Sequence, residues 1–251
     1  MPESMRVVMG MTARVAIADD RAGAADLDAV FGIFADADAR FSPFRTESEL
    51  CRLNRGQAEE LSPAMIEILA LAEKSRSETN GYFDIRRPDG MVDTSGIVKG
   101  WAIREAARLL HSRGFAGFAI EIGGDIQTGG CRADGGDWRV GIRSPFGDEI
   151  VKRLYPRGAG VATSGSYHQG THIYDPHQPL GGAPARDLHP RVVSLTVIGE
   201  DIMEADILAT AAFAMGRDGI LFIERAPGFE AYAIDESGMA RMTSGLKRYL
   251  S

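Results

Sequence analysis

Cysteine is nearly absent: Cys51 and Cys131 are the only two in 251 residues. Far apart in the sequence, they make no disulfide scaffold, and a zinc site wants such ligands clustered. Two buried small side chains in a reducing compartment are the expected use of them. No apolar stretch approaches the ~18 residues of a membrane span. Glu3, Arg6 and Arg14 interrupt the short apolar runs of the N-terminus, which is unlike a secretory segment. A cytoplasmic protein with no membrane insertion is expected. A basic excess is missing as well: Lys+Arg 28 against Asp+Glu 35 leaves −7. That balance excludes a nonspecific nucleic-acid binder, which needs a basic face. No low-complexity linker and no short repeat divides the chain. One domain over residues 1–251, in two intimately joined halves, follows. Glycine is the excess, 30 residues or about 12% against a usual ~7%. With ordinary proline content, that points to tight turns and to backbone packed against ligands.

Hydrophobic spacing gives the elements. Met5–Ala18 alternates and is rich in valine, as a strand or hairpin arm would be. Ala24–Arg40 places Leu27, Val30, Phe31 and Phe34 on one helical stripe. Thr46 and Glu49 have the spacing of a capping box for a short helix through Asn54. Ser62-Pro63 starts another that runs toward Asn80-Gly81, and Gly96–Ser112 is a third, closed by Gly114. Strand composition marks Gly117–Ile122, Trp138–Arg143, Gly160–Thr163 and Val192–Ile198. Helices follow at Met203–Met215 and Gly219–Arg225, then a hairpin of Phe229–Ile234 and Met239–Thr243. Strands and helices intermix without regular alternation, so the fold class is α+β, with mixed or antiparallel sheets and helices packed against them.

Five polar clusters stand beside glycines. Gly81 to Asp84 lies just past a helix end. Asp93 to Gly100 runs a turn into a helix that carries Lys99, a suitable place for phosphate. A capped helix with a solvated lysine fits the same pattern. The glycine spacing excludes a Walker loop. Glu121 to Asp125 ends a strand in paired glycines, and Thr163 to Tyr167 leads toward His172 to Pro176. Four of the five histidines fall between His168 and His189, but Gly170, Pro176 and Pro179 prevent one helix from presenting them to zinc. His172 beside Asp175 is either a functional imidazole or a structural one. Asp206 and Thr210, four apart, share one face of an otherwise apolar helix. Such oxygens need a partner, either a hard cation or nearby backbone.

In this order along the chain, the clusters resemble the ApbE family of flavin transferases. Met9-Gly10, Ser48-Glu49-Leu50 with Leu53-Asn54, Gly81 to Asp84 and Asp93 to Gly100 carry the likeness. Gly123-Gly124-Asp125, Thr163 to Gly165, His172 to Pro176 and Ala205-Asp206 with Thr210 complete it, from about Arg6 to Ser244. The resemblance implies an FAD:protein FMN transferase, which uses Mg²⁺, moves FMN from FAD to a Ser or Thr hydroxyl of a flavoprotein and releases AMP. It implies metal ligands at Asp206, Thr210 and the Gly96 carbonyl. Flavin contacts would come from Met9, Phe44, Tyr82, Phe83, Asp84, Asp93, Lys99 and Tyr174. His172 and Lys99 take the catalytic roles, as base for the acceptor hydroxyl and as stabiliser of phosphate charge.

Four departures accompany the likeness. Only Ile85–Val92 joins Asp84 to Asp93, where many members carry a long insert; the short form resembles compact actinobacterial members. Phe44 stands where a tyrosine is common, and Ala209 where some members have a third acidic ligand. No lipoprotein signal precedes Met9. The same metal site would also serve an FAD pyrophosphatase giving FMN and AMP, and an inert flavin-binding module is the alternative from another class.

Overall fold

The structure, a computed structural model, describes residues 1–165 and 190–250. Strands β1 (Glu3–Val8) and β2 (Met11–Ile17) form the first hairpin. The run Met5–Ala18 therefore splits at Met9-Gly10, where both residues take positive φ (50° and 73°). A two-residue turn of that hand matches the right-handed twist of the strands it joins. Helix α1 (Ala24–Phe41) lays Leu27, Val30, Phe31 and Phe34 into the core, as the stripe requires.

Helix α2 (Glu49–Asn54) corrects the expected capping box. Its cap is Ser48, whose Oγ accepts from the Cys51 N–H at 3.0 Å. Glu49 is buried and accepts instead from the N–H and Oγ of Ser62, at 2.6 and 2.7 Å. It thus ties α2 to the start of α3 (Pro63–Glu78), where Ser62 caps the Met65 N–H at 3.2 Å. Helix α4 (Ser95–Ser112) closes at Gly114, φ +81°.

The second half contributes β3 (Phe118–Ile122), β4 (Asp125–Gly129), β5 (Val140–Arg143), β6 (Ile150–Leu154), β7 (Gly160–Gly165) and β8 (Val192–Gly199). Helices α5 (Ile202–Ala214) and α6 (Gly219–Glu224) and strands β9 (Glu230–Asp235) and β10 (Ala240–Met242) follow. Eight strands form one sheet in the order β1-β2-β3-β4-β7-β8-β9-β10, every neighbouring pair antiparallel. Strands β5 and β6 pair only with each other. The architecture is α+β.

Two apolar layers enclose the sheet. On one face, Phe34, Ile103 and Ile202 from α1, α4 and α5 meet Ile120 and Val197 of the strands. On the other, Ile142 and Leu154 of the β5–β6 hairpin pack with Ile198 and Ile234. Each such fully buried side chain contributes roughly 1.5–3 kcal/mol, enough in sum to tolerate a few buried charges. Helices α4 and α5 cross at Gly100, where a Cβ would lie 2.8 Å from the Met203 Cα. Only glycine permits that approach. No described helix is long and apolar enough to cross a membrane. The cysteines differ from expectation: both are free thiols, Cys51 half-buried and Cys131 exposed.

Candidate functional site

The close crossing at Gly100 brings Lys99 of α4 against Asp206 of α5. Between them and the sheet lies Asp125, the first residue of β4. The Lys99 Nζ is 2.6 Å from Asp125 Oδ2 and 3.7 Å from Asp206 Oδ1. Both carboxylates are buried. Asp206 Oδ2 accepts from the Gly100 N–H at 3.2 Å. Helix geometry aims that same N–H at the carbonyl of Gly96, four residues back. Asp206 therefore meets the second turn of α4, one turn beyond the Gly96 carbonyl to which the family resemblance assigns a ligand role.

Asp125 is held from its other side. Its Oδ1 accepts from the Thr163 N–H of β7 at 3.1 Å. Its Oδ2 is fully buried and receives no hydrogen bond of normal geometry, despite the nearby ammonium. The Lys99 ammonium, 2.6 Å away, compensates its charge. One rotor away, Thr210 Oγ1 lies 3.4 Å from Ser164 Oγ, a long contact. Thr163 Oγ1 pairs with Thr196 Oγ1 at 2.8 Å on the opposite side of β7.

Electrostatics follow from burial and charge count. Burial alone would lower the Lys99 ammonium, but Asp125 and then Asp206 outweigh it and hold its pKa above the ordinary lysine value. Burial pushes Asp206 up to about 7 against the pull of Lys99, and the Asp125 charge adds to the rise. Two carboxylates and one ammonium sum to −1. With Asp206 ionised, above about pH 7, the cluster carries one more negative charge than its lysine neutralises.

These residues fit a hard cation. Asp206 and Thr210, one helical turn apart on α5, offer oxygen donors, and Asp206 touches the backbone of α4 at Gly100. Among the described residues, no group of three or more His, Cys, Asp or Glu gathers around a common point. Oxygen donors of this kind are those a hard divalent cation takes.

Of the remaining sequence-assigned residues, Phe83 and Asp93 contact the start of α4. Phe83 is buried and packs on Gly96, where a Cβ would meet its ring edge at 3.3 Å. Tyr82 packs partly buried beside it. The Asp93 N–H donates to the Ile85 carbonyl at 2.7 Å, and its Oδ1 accepts from the Ser95 N–H at 3.0 Å, fixing the entry to α4. Asp84 is turned outward, ion-paired to Arg76 Nε at 2.9 Å. Met9 sits in the β1–β2 turn, partly buried against the core. Its hairpin meets the paired glycines, with the Gly123 N–H donating to the Thr12 carbonyl at 3.0 Å. Phe44 stands 93% exposed between α1 and α2. Asn54 has a structural task, with hydrogen bonds of 2.8 Å to both the N–H and the carbonyl of Val92. His172 and Tyr174 lie outside the described residues.

Asp125 as the counter-ion of Lys99 was missed by sequence reasoning, as was Ser164 beside Thr210. The available signal was an aspartate between Ile122 and Ile126, in a strand otherwise directed into the core.

Known proteins match this chain over most of its length. A family model described as the ApbE family matches residues 9–89 and 86–233. The FAD:protein FMN transferase of Vibrio cholerae is 33% identical over 174 residues, 65% of this chain and 49% of that relative. The Escherichia coli K12 protein of the same name is 29% identical over 167 residues, covering 62% and 46%. The chain thus spans about half the length of the curated relatives it matches. The solved structure of the flavin transferase ApbE from Vibrio cholerae superposes with a TM-score of 0.80 at 25% identity, covering 99% of each chain. The ApbE protein of Thermotoga maritima gives 0.84 at 22% identity, a likeness of fold. The motifs that meet at the α4–α5 crossing and the length of the family match lead to one assignment: the chain belongs to the ApbE family.

Proposed function

We propose that this chain is an FAD:protein FMN transferase that moves FMN from FAD to a Ser or Thr hydroxyl of a flavoprotein, with release of AMP. The observation that carries the reading is the buried Asp206–Lys99–Asp125 cluster on the second turn of α4, with Thr210 one turn along α5. The names of the Vibrio and Escherichia relatives supply the chemistry that such a site would serve.

Asp206, Thr210 and the Gly96 carbonyl are the proposed holders of Mg²⁺. When bound, the cation neutralises charge on the FAD pyrophosphate. Lys99, fixed by two carboxylates, keeps its ammonium charged and orients Asp206 toward the ligand position. The N–H groups at the start of α4 face the phosphates. Met9, Phe44, the Tyr82 to Asp84 turn, Asp93 and Tyr174 are the proposed surroundings of the flavin. His172 takes the proton from the acceptor hydroxyl. The oxygen then bonds to the phosphorus of the FMN half, the bond from that phosphorus to the bridging oxygen breaks, and AMP leaves with that oxygen. The two free thiols fit a reducing compartment, which supports a cytoplasmic setting.

The test is co-expression of the chain, or of Asp206→Ala, with flavoproteins of its own source, followed by mass spectrometry of their peptides. A Ser or Thr peptide carrying one FMN with the parent chain and not with the variant supports the reading. FMN and AMP formed from FAD with no modified peptide would make the chain a pyrophosphatase, and neither product would overturn both.

A further inference from the structure

Asp125 belongs to the buried cluster, yet it holds neither cation nor phosphate in the proposed chemistry. Its place is fixed by the sheet. Gly123 and Gly124, at φ 58° and 95°, make the turn between β3 and β4, and Asp125 leaves that turn opposite Ile122. Its Oδ1 accepts from the Thr163 N–H at 3.1 Å, which ties the carboxylate to β7. That anchor leaves Oδ2 to Lys99, 2.6 Å from the Nζ.

Asp206 is anchored in the same way on a different stretch of backbone. Its Oδ2 accepts from the Gly100 N–H at 3.2 Å, so Oδ1 is the oxygen left open. The Lys99 Nζ lies 3.7 Å from Oδ1, beyond the ~2.7–2.9 Å of a charged hydrogen bond. Two carboxylates therefore compete for one ammonium, and Asp125 has it. The lysine does not decide the outcome by itself, because its four-carbon stem is flexible. Only 17% of its side chain is exposed, and a buried ammonium without a counter-ion is strongly disfavoured. Without the Asp125 charge, Asp206 is the carboxylate left beside it among the described residues.

We propose that Asp125 is a positioning residue, which holds the Lys99 ammonium away from Asp206 Oδ1 and so keeps that oxygen open to a divalent cation. This rests on the reading of Asp206 as a metal ligand in an FMN transferase. Asp125 touches neither metal nor substrate. With its charge removed, Lys99 turns to Asp206 and pairs with Oδ1. An ammonium on that oxygen repels an incoming Mg²⁺.

Asp125→Asn keeps the shape and the acceptor for the Thr163 N–H, and deletes the charge. In metal-free crystals of this variant, the Lys99 Nζ should stand about 2.8 Å from Asp206 Oδ1. Mg²⁺ alone is then titrated by calorimetry into the parent chain, Asp125→Asn, Lys99→Met and the double variant, with neither FAD nor acceptor present. The four affinities separate positioning from the mere loss of a negative charge near the cation. A charge acting at a distance weakens binding by the same factor whether or not Lys99 is present. Positioning makes the effect depend on the lysine: Asp125→Asn should weaken Mg²⁺ binding by about tenfold or more beside Lys99, and by about threefold or less beside methionine.

Equal factors in the two backgrounds would overturn the proposal, as would a Lys99 that keeps its parent position in the Asp125→Asn crystals. Asp125→Asn must also fold, since Asp206 takes over as counter-ion, and a variant that does not fold would overturn it too. Where Lys99→Met is too unstable to titrate, the metal-free crystals decide alone. Failure of the metal reading looks different. The parent then takes up no Mg²⁺, or Asp206→Ala takes it up as the parent does, and the proposal falls with that reading.

Discussion

Lys99→Met separates an ammonium built into the core from one free to serve substrate alone. The substitution keeps the apolar stem and deletes the charge 2.6 Å from Asp125 and 3.7 Å from Asp206. Both carboxylates stay buried, so one of them remains charged and unpaired or both compete for a proton. Removing one partner of a buried ion pair costs about 3–5 kcal/mol. For a chain of this size each kcal/mol moves Tm by roughly 2–4 °C, so the expected fall is roughly 6–20 °C. Thermal unfolding at pH 8 without metal reads it. The deficit shrinks at pH 5, because Asp206 already favours its protonated form and takes a proton readily once Lys99 is gone. Lys99→Met/Asp125→Asn melts above Lys99→Met, since it removes the orphaned charge. A Lys99→Met protein that melts within about 2 °C of the parent at pH 8 would refute this reasoning and return Lys99 to the solvent.

Asp206→Asn has the opposite sign. The folded-state pKa of Asp206 is raised above its unfolded value, so its contribution to stability is present below pH ~4 and is lost as pH rises through about 7. The metal-free variant should therefore match the parent at pH 4 and exceed it at pH 8 by on the order of 1–3 kcal/mol; a parent more stable than the variant at pH 8 contradicts the sign. Adding Mg²⁺ should raise the parent's Tm and leave that of Asp206→Asn unchanged, with a scan at increasing Mg²⁺ as the check. Thr210→Val keeps the shape and removes one neutral ligand, so it should weaken Mg²⁺ stabilisation without changing the metal-free Tm by more than about 2 °C, as its loose contact to Ser164 predicts. Gly100→Ala places a Cβ 2.8 Å from the Met203 backbone and should cost about 1–3 kcal/mol by overpacking, with loss of activity as α5 moves off α4; unchanged melting would show that the crossing is looser than described.

The helices were legible because their signals are local. The stripe of α1 and the Ser62-Pro63 start of α3 lie within a few residues of the structure they set. The capping box at Thr46 and Glu49 misled for a long-range reason: Glu49 is taken by Ser62, thirteen residues on, and Ser48 caps in its place. Strand β4 was hidden because its five residues include Asp125, Gln127 and Thr128. Their partners come from elsewhere in the chain: Gln127 Nε2 donates to the Gly158 carbonyl at 2.8 Å and Thr128 Oγ1 to the Ala159 carbonyl at 3.0 Å. Strand β6 was hidden because its surface-facing Ile150 and Val151 break the usual alternation. At the site, Asp206 and Thr210 were visible through helical spacing alone. The ion pair of Lys99 with Asp125 was not, because it joins α4 to β4 across a sheet whose order no local pattern encodes.

The most direct measurement is the intact mass of the purified acceptor after incubation with this chain, FAD and graded Mg²⁺, with AMP and free FMN quantified in the same samples. The account predicts one added FMN per acceptor, AMP released in equal amount, little free FMN, and loss of all three changes when Mg²⁺ is chelated or Asp206 is replaced by alanine. AMP and free FMN in equal amounts with an acceptor of unaltered mass would contradict it, as would full transfer by Asp206→Ala at limiting Mg²⁺.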